Sequence, residues 1–197
     1  MDDSRRQLDD KYIISDHMSI LRVHDKSFEP YLSAEVIDKK IAMIASRIDA
    51  DYAGKKPLFI AILNGAFMFA SDLFKKISIE AEISFIKLAS YKGTKSTGHV
   101  ITAIGLDADL HGRHVVIVED IVDTGKTLSE FLPQLEHQQP ASMKIAALLH
   151  KPEATVYPIQ VDYLGFSVPK KFLLGYGLDY DGLGRNLPAI YQLIEGA

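Results

Sequence analysis

The chain of 197 residues contains no cysteine, which excludes disulfide bonds, thiol chemistry and thiolate metal sites. It has no apolar run near the ~18 residues that a membrane span requires, and its polar amino terminus lacks the apolar segment of a signal peptide. Basic residues form no run and the formal net charge is −4, so a nucleic acid is not expected as a partner. Together these absences favour a cytoplasmic protein that needs neither a membrane nor a nucleic acid.

The composition is that of an ordinary globular protein. Hydrophobic residues make up 47% of the chain and charged residues 24%, which is typical of a protein with a sizeable core. No internal repeat and no low-complexity linker divides it. We therefore expect residues 1–197 to form a single domain.

Hydrophobic spacing predicts alternating helices and strands. Ser33 is the expected cap of a helix whose isoleucines recur at positions 37, 41, 44 and 48, with Gly54 as its C-cap. The continuous apolar run over residues 58–63 is typical of a strand that is buried on both faces. The other predicted elements are helices over residues 67–76 and 124–138, the second with Pro133 as a kink or an early end, and strands over residues 81–88, 100–106, 114–121 and 141–149.

This alternation predicts an α/β fold with a mostly parallel central sheet flanked by helices. Residues 1–30 give no firm pattern, and residues 163–194, which give short strand patterns, are expected to pack beside the sheet. In such sheets ligands bind beyond the carboxyl ends of the strands. Three predicted strands end in unusual polar residues, at Asn64-Gly65, at residues 119–127 and at Lys151, so we expect one site at one edge of the sheet.

The most informative segment spans residues 115–128, where an apolar run leads into Glu119, Asp120 and Asp123 and then into a turn, Thr124-Gly125-Lys126-Thr127. Backbone N–H groups at such a turn, and at the start of the helix that follows, bind a phosphate monoester well. Acids beside a phosphate are expected when they face sugar hydroxyls or a hydrated Mg²⁺. A lone Glu-Asp pair is more often a polar loop or a helix cap, but the full string predicts an enzyme that handles a phosphorylated sugar.

Three shorter motifs compete for the same residues. A P-loop needs glycine at position 120, where this chain has Asp120. The aspartic-protease triplet Asp-Thr-Gly belongs to β-rich proteins, whereas Asp123 here opens a helix in an α/β pattern. Acid-based phosphatases use Asp-x-Asp, which the spacing of Glu119, Asp120 and Asp123 does not match.

Residues 115–128 resemble the diphosphoribosyl-binding signature of type I phosphoribosyltransferases. Over about residues 58–194 the chain resembles the hypoxanthine-guanine phosphoribosyltransferases of purine salvage, and the run over residues 165–180 selects this purine branch. The other matching residues are Leu63-Asn64-Gly65-Ala66, Ser90-Tyr91, Lys151 and Arg185. The resemblance implies the type I phosphoribosyltransferase fold, in which the terminal segments add a small hood to the sheet.

The resemblance also implies a reaction. In this family 5-phosphoribosyl 1-diphosphate transfers its ribosyl phosphate to N9 of a 6-oxopurine base and releases diphosphate, through a transition state that resembles an oxocarbenium ion. Asp123 matches the catalytic acid or base at the purine N7, and residues 123–127 match the loop that holds the 5′-phosphate. Glu119 and Asp120 match residues near the ribose hydroxyls, where the implied cofactor Mg²⁺ also binds, and Asp179 matches a second Mg²⁺ ligand.

Base recognition is implied for a second group of residues. Lys151 matches the lysine that donates to O6, which explains a choice of 6-oxopurines over adenine because an ammonium has only donors. Phe172 matches the aromatic ring that stacks on the base, and the backbone of Leu173 would read the Watson–Crick edge. The implied substrate-binding set is completed by Ile121, Val122, Thr124, Gly125, Lys126, Thr127 and Lys171.

Diphosphate binding and closure of the site are implied for three further places. Asn64-Gly65 matches the loop whose backbone holds diphosphate, and Arg185 matches a diphosphate contact. Many relatives have lysine where Asn64 stands, so one cation is missing here. Ser90-Tyr91 matches the start of a loop that closes over the site, and we expect residues 90–98 to form a mobile loop that excludes water when it closes.

Two other interpretations stay open beside this one. The chain can be a phosphoribosyltransferase that prefers xanthine or another base, or a non-catalytic regulator of the same fold that senses a nucleotide. A generic nucleotide-binding module would leave Lys151, Phe172 and Asp179 without a purpose. The resemblance implies a homodimer or a homotetramer, with hypoxanthine and guanine both as expected bases.

Overall fold

The computed structural model describes residues 19–91 and 100–195. Strands and helices alternate through most of this part of the chain. In chain order the elements are β1 (Leu21–Val23), β2 (Lys26–Leu32), α1 (Ala34–Asp51), β3 (Leu58–Leu63), α2 (Phe67–Lys76), β4 (Glu82–Tyr91), β5 (Val100–Ile104), β6 (His114–Val122), α3 (Lys126–Glu136), β7 (Ser142–His150), a short 3₁₀ turn (Pro152–Ala154), β8 (Tyr163–Ser167), β9 (Leu173–Leu174) and β10 (Ile190–Leu193).

The central sheet has the strand order β5-β4-β3-β6-β7-β8 within the described residues. Every neighbouring pair is parallel except β4 and β5, which are antiparallel. This arrangement confirms the predicted α/β fold with a mostly parallel sheet. Because β3, β6 and β7 are adjacent and parallel, their carboxyl ends meet at one edge, as the strand-end residues predicted.

Both faces of the sheet are covered, which explains the unbroken apolar runs of its central strands. On β6, Val116 and Val118 pack with the helices α1 and α2, whereas Val115 and Ile117 pack with α3. The four isoleucines of α1 are buried, as predicted, and the Ser33 hydroxyl caps that helix by accepting from the backbone N–H of Val36 at 3.3 Å. None of the helices in the described part of the chain is both long and apolar enough to cross a membrane.

A second, antiparallel sheet in the order β1-β2-β10-β9 joins the two ends of the described chain. It confirms the predicted hood from the terminal segments. The hairpin of β1 and β2 spans residues 21–32, and most of it falls in residues 1–30, which show no firm sequence pattern. Only Phe28 and Leu32 of β2 are fully buried, so its side chains give no clean alternation of apolar and polar residues.

Several predicted boundaries are wrong in an instructive way. Helix α1 ends at Asp51 with Tyr52 as its C-cap, so Gly54 lies in the turn beyond the cap. Strand β4 continues through Ser90 and Tyr91, which were predicted to begin a loop, because these two residues pair with β5. The rest of that predicted loop, residues 92–98, lies outside the described residues.

Helix α3 begins two residues later than predicted, at Lys126. Residues 123–125 form the turn before it, and Gly125 is its N-cap with a left-handed φ of 78°. Pro133 lies inside the helix, which continues to Glu136, so the proline does not end it. The late start leaves the turn after β6 free to face the cleft at the carboxyl edge of the sheet.

Candidate active site

The turn after β6 encloses a small cavity of about 80 Å³. Its walls come from one continuous stretch of chain, at residues Glu119, Ile121, Val122, Asp123, Thr124, Gly125, Lys126, Thr127 and Leu128. A Cβ atom at Gly125 would lie 2.2 Å from the carbonyl oxygen of Tyr157, so only glycine fits at this point of the turn. The size of the cavity and its place before a helix suit a phosphate group.

Two neighbouring acids of β6 lie at the bottom of the cleft, the buried Asp120 and Glu119, whose Oε2 atom is buried. Asp120 lies so near the loop after β3 that a Cβ atom at Gly65 would overlap its carboxylate, 1.7 Å from Oδ2. Burial raises the pKa of Asp120 and, to a greater extent, that of Glu119, whose pKa the neighbouring charge of Asp120 raises further. Among the described residues Glu119 Oε2 has no hydrogen-bond partner. An acceptor that is buried in this state calls for a cation or for donors from a ligand.

The donor set fits a magnesium ion that arrives with a phosphorylated ligand. Among the residues that the structure describes, no three acidic or histidine side chains converge closely enough to hold a metal by themselves. Mg²⁺ is usually bound by one or two carboxylates together with water and substrate phosphates, so a full protein cage is not required. Glu119 and Asp120 supply two hard oxygen ligands, and Glu119 Oε2 has no hydrogen-bond partner among the described residues.

Beside the acids lies a second cavity of about 200 Å³. Its lining combines residues from β6, the β7 end and the hood, namely Asp120, Ile121, Asp123, Lys151, Phe172, Leu173, Leu178, Asp179 and Arg185. Lys151 follows β7 directly and is only 8% exposed, and its Nζ donates to Asp123 Oδ2 at 2.9 Å. The Phe172 ring is 40% exposed, which leaves apolar ring surface open to a flat ligand.

The hairpin of the hood supports Phe172 from behind. The ring of Phe172 lies with its centroid 6.2 Å from that of the buried Phe28 and 5.8 Å from that of Tyr180. Lys26 Nζ sits over Tyr180, 4.8 Å from the ring centroid, and the Tyr180 hydroxyl donates to Asp25 Oδ1 at 2.6 Å. The hydrogen bond to Asp25 raises the pKa of Tyr180 to about 12. Sequence reasoning missed Asp25, Lys26 and Phe28, because no local motif links them to a ring about 150 residues further along.

Backbone packing joins the hood to the loop after β3. A Cβ atom at Gly177 would lie 2.1 Å from the carbonyl oxygen of Gly65. The guanidinium of Arg185 donates to the Gly177 carbonyl at 2.6 Å and forms an ion pair with Asp179. Arg185 and Asp179 therefore stand together at the mouth of the cavity, next to Gly65.

The structure brings most of the predicted site residues together, but not all. Asn64 is exposed and Lys171 is half-buried, and neither lines one of the two cavities. For Ser90 and Tyr91 the structure gives a backbone position in β4, on the far side of β3 from β6. The other predicted residues line the two cavities or, as with Gly65, pack against a residue that does.

Comparison with known proteins agrees with this geometry. The phosphoribosyl transferase domain matches residues 29–181. A hypoxanthine-guanine phosphoribosyltransferase of Streptococcus pneumoniae is 41% identical over 165 residues, which cover 83% of this chain and 92% of that protein. The chain belongs to the hypoxanthine-guanine phosphoribosyltransferase family.

Further members show how the family extends. A hypoxanthine-guanine-xanthine phosphoribosyltransferase of Tritrichomonas foetus is 39% identical over 81% of this chain and 87% of that protein. The crystal structure of a hypoxanthine-guanine phosphoribosyltransferase from Bacillus anthracis superposes with a TM-score of 0.78 at 34% identity, over 84% of this chain and 98% of that chain. These matches confirm the predicted family, the type I phosphoribosyltransferase fold and the prediction of a transferase.

Proposed function

We propose that this protein transfers the 5-phosphoribosyl group of 5-phosphoribosyl 1-diphosphate to N9 of hypoxanthine or guanine, and so yields IMP or GMP with diphosphate. The observation that carries the proposal is the pair of Asp123 and Lys151 at 2.9 Å, in a cavity that also presents the open face of Phe172. One acceptor and one donor side by side, next to an aromatic ring, match the N7 and O6 edge of a stacked 6-oxopurine.

Each of the two cavities is suited to a different part of the substrates. The cavity of the turn after β6 suits the 5′-phosphate, because residues 123–127 line it just before the start of α3, where backbone N–H groups can bind an anion. The larger cavity suits the base and the ribose, and Gly65 with Arg185 lies where the diphosphate would leave. The carboxylates between the cavities face the ribose hydroxyls.

The chemistry assigned to Asp123 is proton transfer at N7. As the bond from C1′ to the diphosphate oxygen breaks, the lone pair of N9 forms the new bond to C1′. Asp123 accepts the proton that the N7–H tautomer of the base must lose, which keeps the product neutral at the ring. Help of this kind is worth ~10²–10⁴-fold in rate. Lys151 donates a hydrogen bond to O6 and stabilises the electron density that remains on the base when the proton leaves.

Magnesium is the cofactor that we propose, held by Glu119 and Asp120 with Asp179 as a further ligand. It would neutralise the negative charge of the sugar diphosphate. Asp179 is now paired with Arg185, so its part in metal binding requires that pair to rearrange. Activity is expected to vanish on chelation and to return with Mg²⁺ or Mn²⁺, and full activity in excess EDTA would contradict this assignment.

The base preference is tested with purified protein, the sugar diphosphate, Mg²⁺ and each of hypoxanthine, guanine, xanthine and adenine in turn. Hypoxanthine and guanine are expected to yield nucleotide, because backbone carbonyls near Leu173 and Asp179 can accept from the 2-amino group of guanine. Xanthine is the alternative that the name of the Tritrichomonas foetus relative favours. Binding of nucleotide without turnover of any base would support the regulator instead.

We further propose that residues 1–197 act as one domain, that the protein is a cytoplasmic homodimer or homotetramer, and that residues beyond Tyr91 close over the site. Light scattering would report the oligomeric state. Proteolysis within residues 92–99, with and without substrates, would report the closure, and cutting at equal rates in both conditions would count against it.

A further inference from the structure

Thr155 lies where the two parts of the base site meet. Its Oγ1 is 3.0 Å from the carbonyl oxygen of Lys151 and 3.3 Å from that of Asp123, two residues that are 28 positions apart in the chain. The same oxygen is 3.0 Å from Nε2 of His150. Both Thr155 and His150 are half-buried, and neither lines the two cavities, so the candidate site described above does not include them.

Counting protons fixes the direction of these hydrogen bonds. A hydroxyl has one proton, and a carbonyl oxygen can only accept, so Thr155 donates to the carbonyls of Lys151 and Asp123 as a shared bond. His150 Nε2 must then carry a hydrogen and donate to Thr155 Oγ1. The result is a series of hydrogen bonds in which His150 orients the Thr155 hydroxyl, and this hydroxyl binds the backbone carbonyls of residues 123 and 151.

The residues after Thr155 strengthen the same connection. The N–H groups of Val156 and Tyr157 both donate to the carbonyl of Thr124, at 3.0 and 2.9 Å. The N–H of Lys151 donates to the carbonyl of Val122 at 2.9 Å. Backbone bonds therefore hold the two strand ends together in general, and the Thr155 hydroxyl adds a side-chain contact to the backbone carbonyls of both residue 123 and residue 151.

We propose that Thr155 is a positioning residue that sets the spacing between Asp123 and Lys151 and matches it to the fixed spacing of N7 and O6 in a 6-oxopurine. The inference rests on the function proposed above. A purine is rigid, so a change of spacing weakens the contact at N7, at O6 or at both. Since misplacement of a catalytic group by about 1 Å can cost ~10²-fold, a partial loss of this constraint is expected to cost ~10-fold.

The test compares two variants at one position. Thr155→Val keeps the shape of the side chain and removes the hydroxyl, whereas Thr155→Ser keeps the hydroxyl. Thr155→Val should lower kcat/KM for hypoxanthine ~10-fold, mainly through kcat, with the KM of the sugar diphosphate changed by less than about 2-fold. It should also narrow the selectivity for hypoxanthine over adenine, which a merely structural role would not do. Thr155→Ser should stay within about 3-fold of the wild type in each measurement.

A matched control lies at the opposite edge of the sheet, where His114 Nδ1 is 2.7 Å from the hydroxyl of Ser142. Ser142→Ala removes a similar bond between a histidine and a hydroxyl, and it should leave kcat and selectivity unchanged. If Thr155→Val does not fold, His150→Gln, which keeps an N–H donor, should exceed His150→Phe in kcat and in selectivity.

Each outcome of these assays decides something. An active wild type with equal kcat in Thr155→Val, or a Thr155→Ser as impaired as Thr155→Val, overturns the positioning role alone. An equal loss of kcat/KM with hypoxanthine and with adenine overturns it as well. If Thr155→Val does not fold, equal kcat and equal selectivity in His150→Gln and His150→Phe have the same consequence. A wild type that makes no nucleotide from any 6-oxopurine overturns the proposed function first, and the inference falls with it.

Discussion

The two edges of the central sheet differ in whether their carboxylates have hydrogen-bond partners within the protein. At the edge formed by the strand starts, Asp51 accepts from Lys144 Nζ at 2.8 Å and from the Tyr163 hydroxyl at 2.6 Å. The hydrogen bond from Lys144 is the main reason why the pKa of Asp51 is lowered. At the edge formed by the strand ends, the Oε2 atom of Glu119 is buried without a hydrogen-bond partner among the described residues, and the pKa of Glu119 is raised.

The difference distinguishes charged groups that are paired within the protein, and so stabilise the fold, from acids that need an external partner. The network around Asp51 satisfies its own charges, so it stabilises the protein without needing anything else. Glu119 and Asp120 are a cost to the folded chain until a cation or sugar hydroxyls meet them. Perturbed, uncompensated acids at one edge of an α/β sheet are the physical mark of a functional site.

The largest effect is expected at the strand-end edge, for Asp123→Asn. This change removes the proton acceptor and keeps the shape, so kcat should fall by ~10²-fold or more. Binding of IMP, measured by calorimetry, should persist. Asp107→Asn serves as the control, because Asp107 is exposed and lines neither cavity. Near-normal turnover of Asp123→Asn would remove this residue from acid–base chemistry.

A smaller loss is expected for Lys151→Ala, since this variant loses one donor to O6. A hydrogen bond to a charged group is worth about 1.5–3 kcal/mol, so kcat/KM for hypoxanthine should fall by roughly 10–100-fold. The value of kcat/KM for adenine should fall much less, because adenine sets an amino group against the ammonium and gains nothing from it. The ratio of kcat/KM for hypoxanthine to that for adenine should therefore decrease. Steady-state kinetics with both bases measures this. An equal loss with both bases would mean that Lys151 does not read O6.

Glu119→Gln should stabilise the protein while lowering its turnover. Burial raises the folded-state pKa of Glu119 above 4.5, so the unfolded chain releases this proton first as the pH rises. The wild-type carboxyl therefore gives its full stability below pH 4.5 and loses it as the pH rises through the folded-state pKa.

The gain for Glu119→Gln at pH 7 is estimated at roughly 1 kcal/mol, the lower end of the cost of an unsatisfied buried polar group. That gain corresponds to ~2–4 °C in Tm for a chain of this size. Thermal unfolding in metal-free buffer at pH 7 and at pH 4 would measure it. A variant that is less stable than the wild type at pH 7 would show that Glu119 is already compensated within the fold.

The smallest effect is expected at the strand-start edge, for Lys144→Ala. The ion pair with Asp51 is partly exposed, with side chains 36% and 46% accessible, so its loss should cost less than about 1 kcal/mol. Asp51 has a lowered pKa, so its contribution is present above pH 3.8 and fades as the pH falls through the folded-state pKa. Activity should stay unchanged, and a tenfold loss of kcat would break the contrast between the two edges.

Local patterns predicted the parts of the molecule that depend on neighbouring residues. Three features each depend on one short stretch of sequence: the buried strands, the Ser33 cap and the acidic residues before Gly125. The structure places them as expected. Helix α3 begins two residues later than predicted, since Thr124 and Gly125 are both weak helix formers and belong to the turn before it. The start of α2 at Phe67 was predicted correctly.

Contacts between distant segments could not be read in this way. The hairpin that holds Phe172 in place, through Phe28 and through the bond between Asp25 and Tyr180, has no repeating pattern of its own. The role of Thr155 depends on two carbonyls that only the pairing of β6 with β7 brings together. Asn64 and Lys171, in contrast, were predicted from the resemblance alone, and neither lines the two cavities of the site.

In the proposed function, Asp123 and Lys151 together recognise the N7 and O6 edge of a purine. This recognition is tested most directly by one competition assay with limiting 5-phosphoribosyl 1-diphosphate, excess Mg²⁺ and equal concentrations of hypoxanthine and adenine. Chromatography of the products should show IMP in at least ~100-fold excess over AMP, since a site built around a hydrogen bond rejects the partner that cannot make it. Comparable amounts of the two nucleotides would show that Asp123 and Lys151 do not select the base.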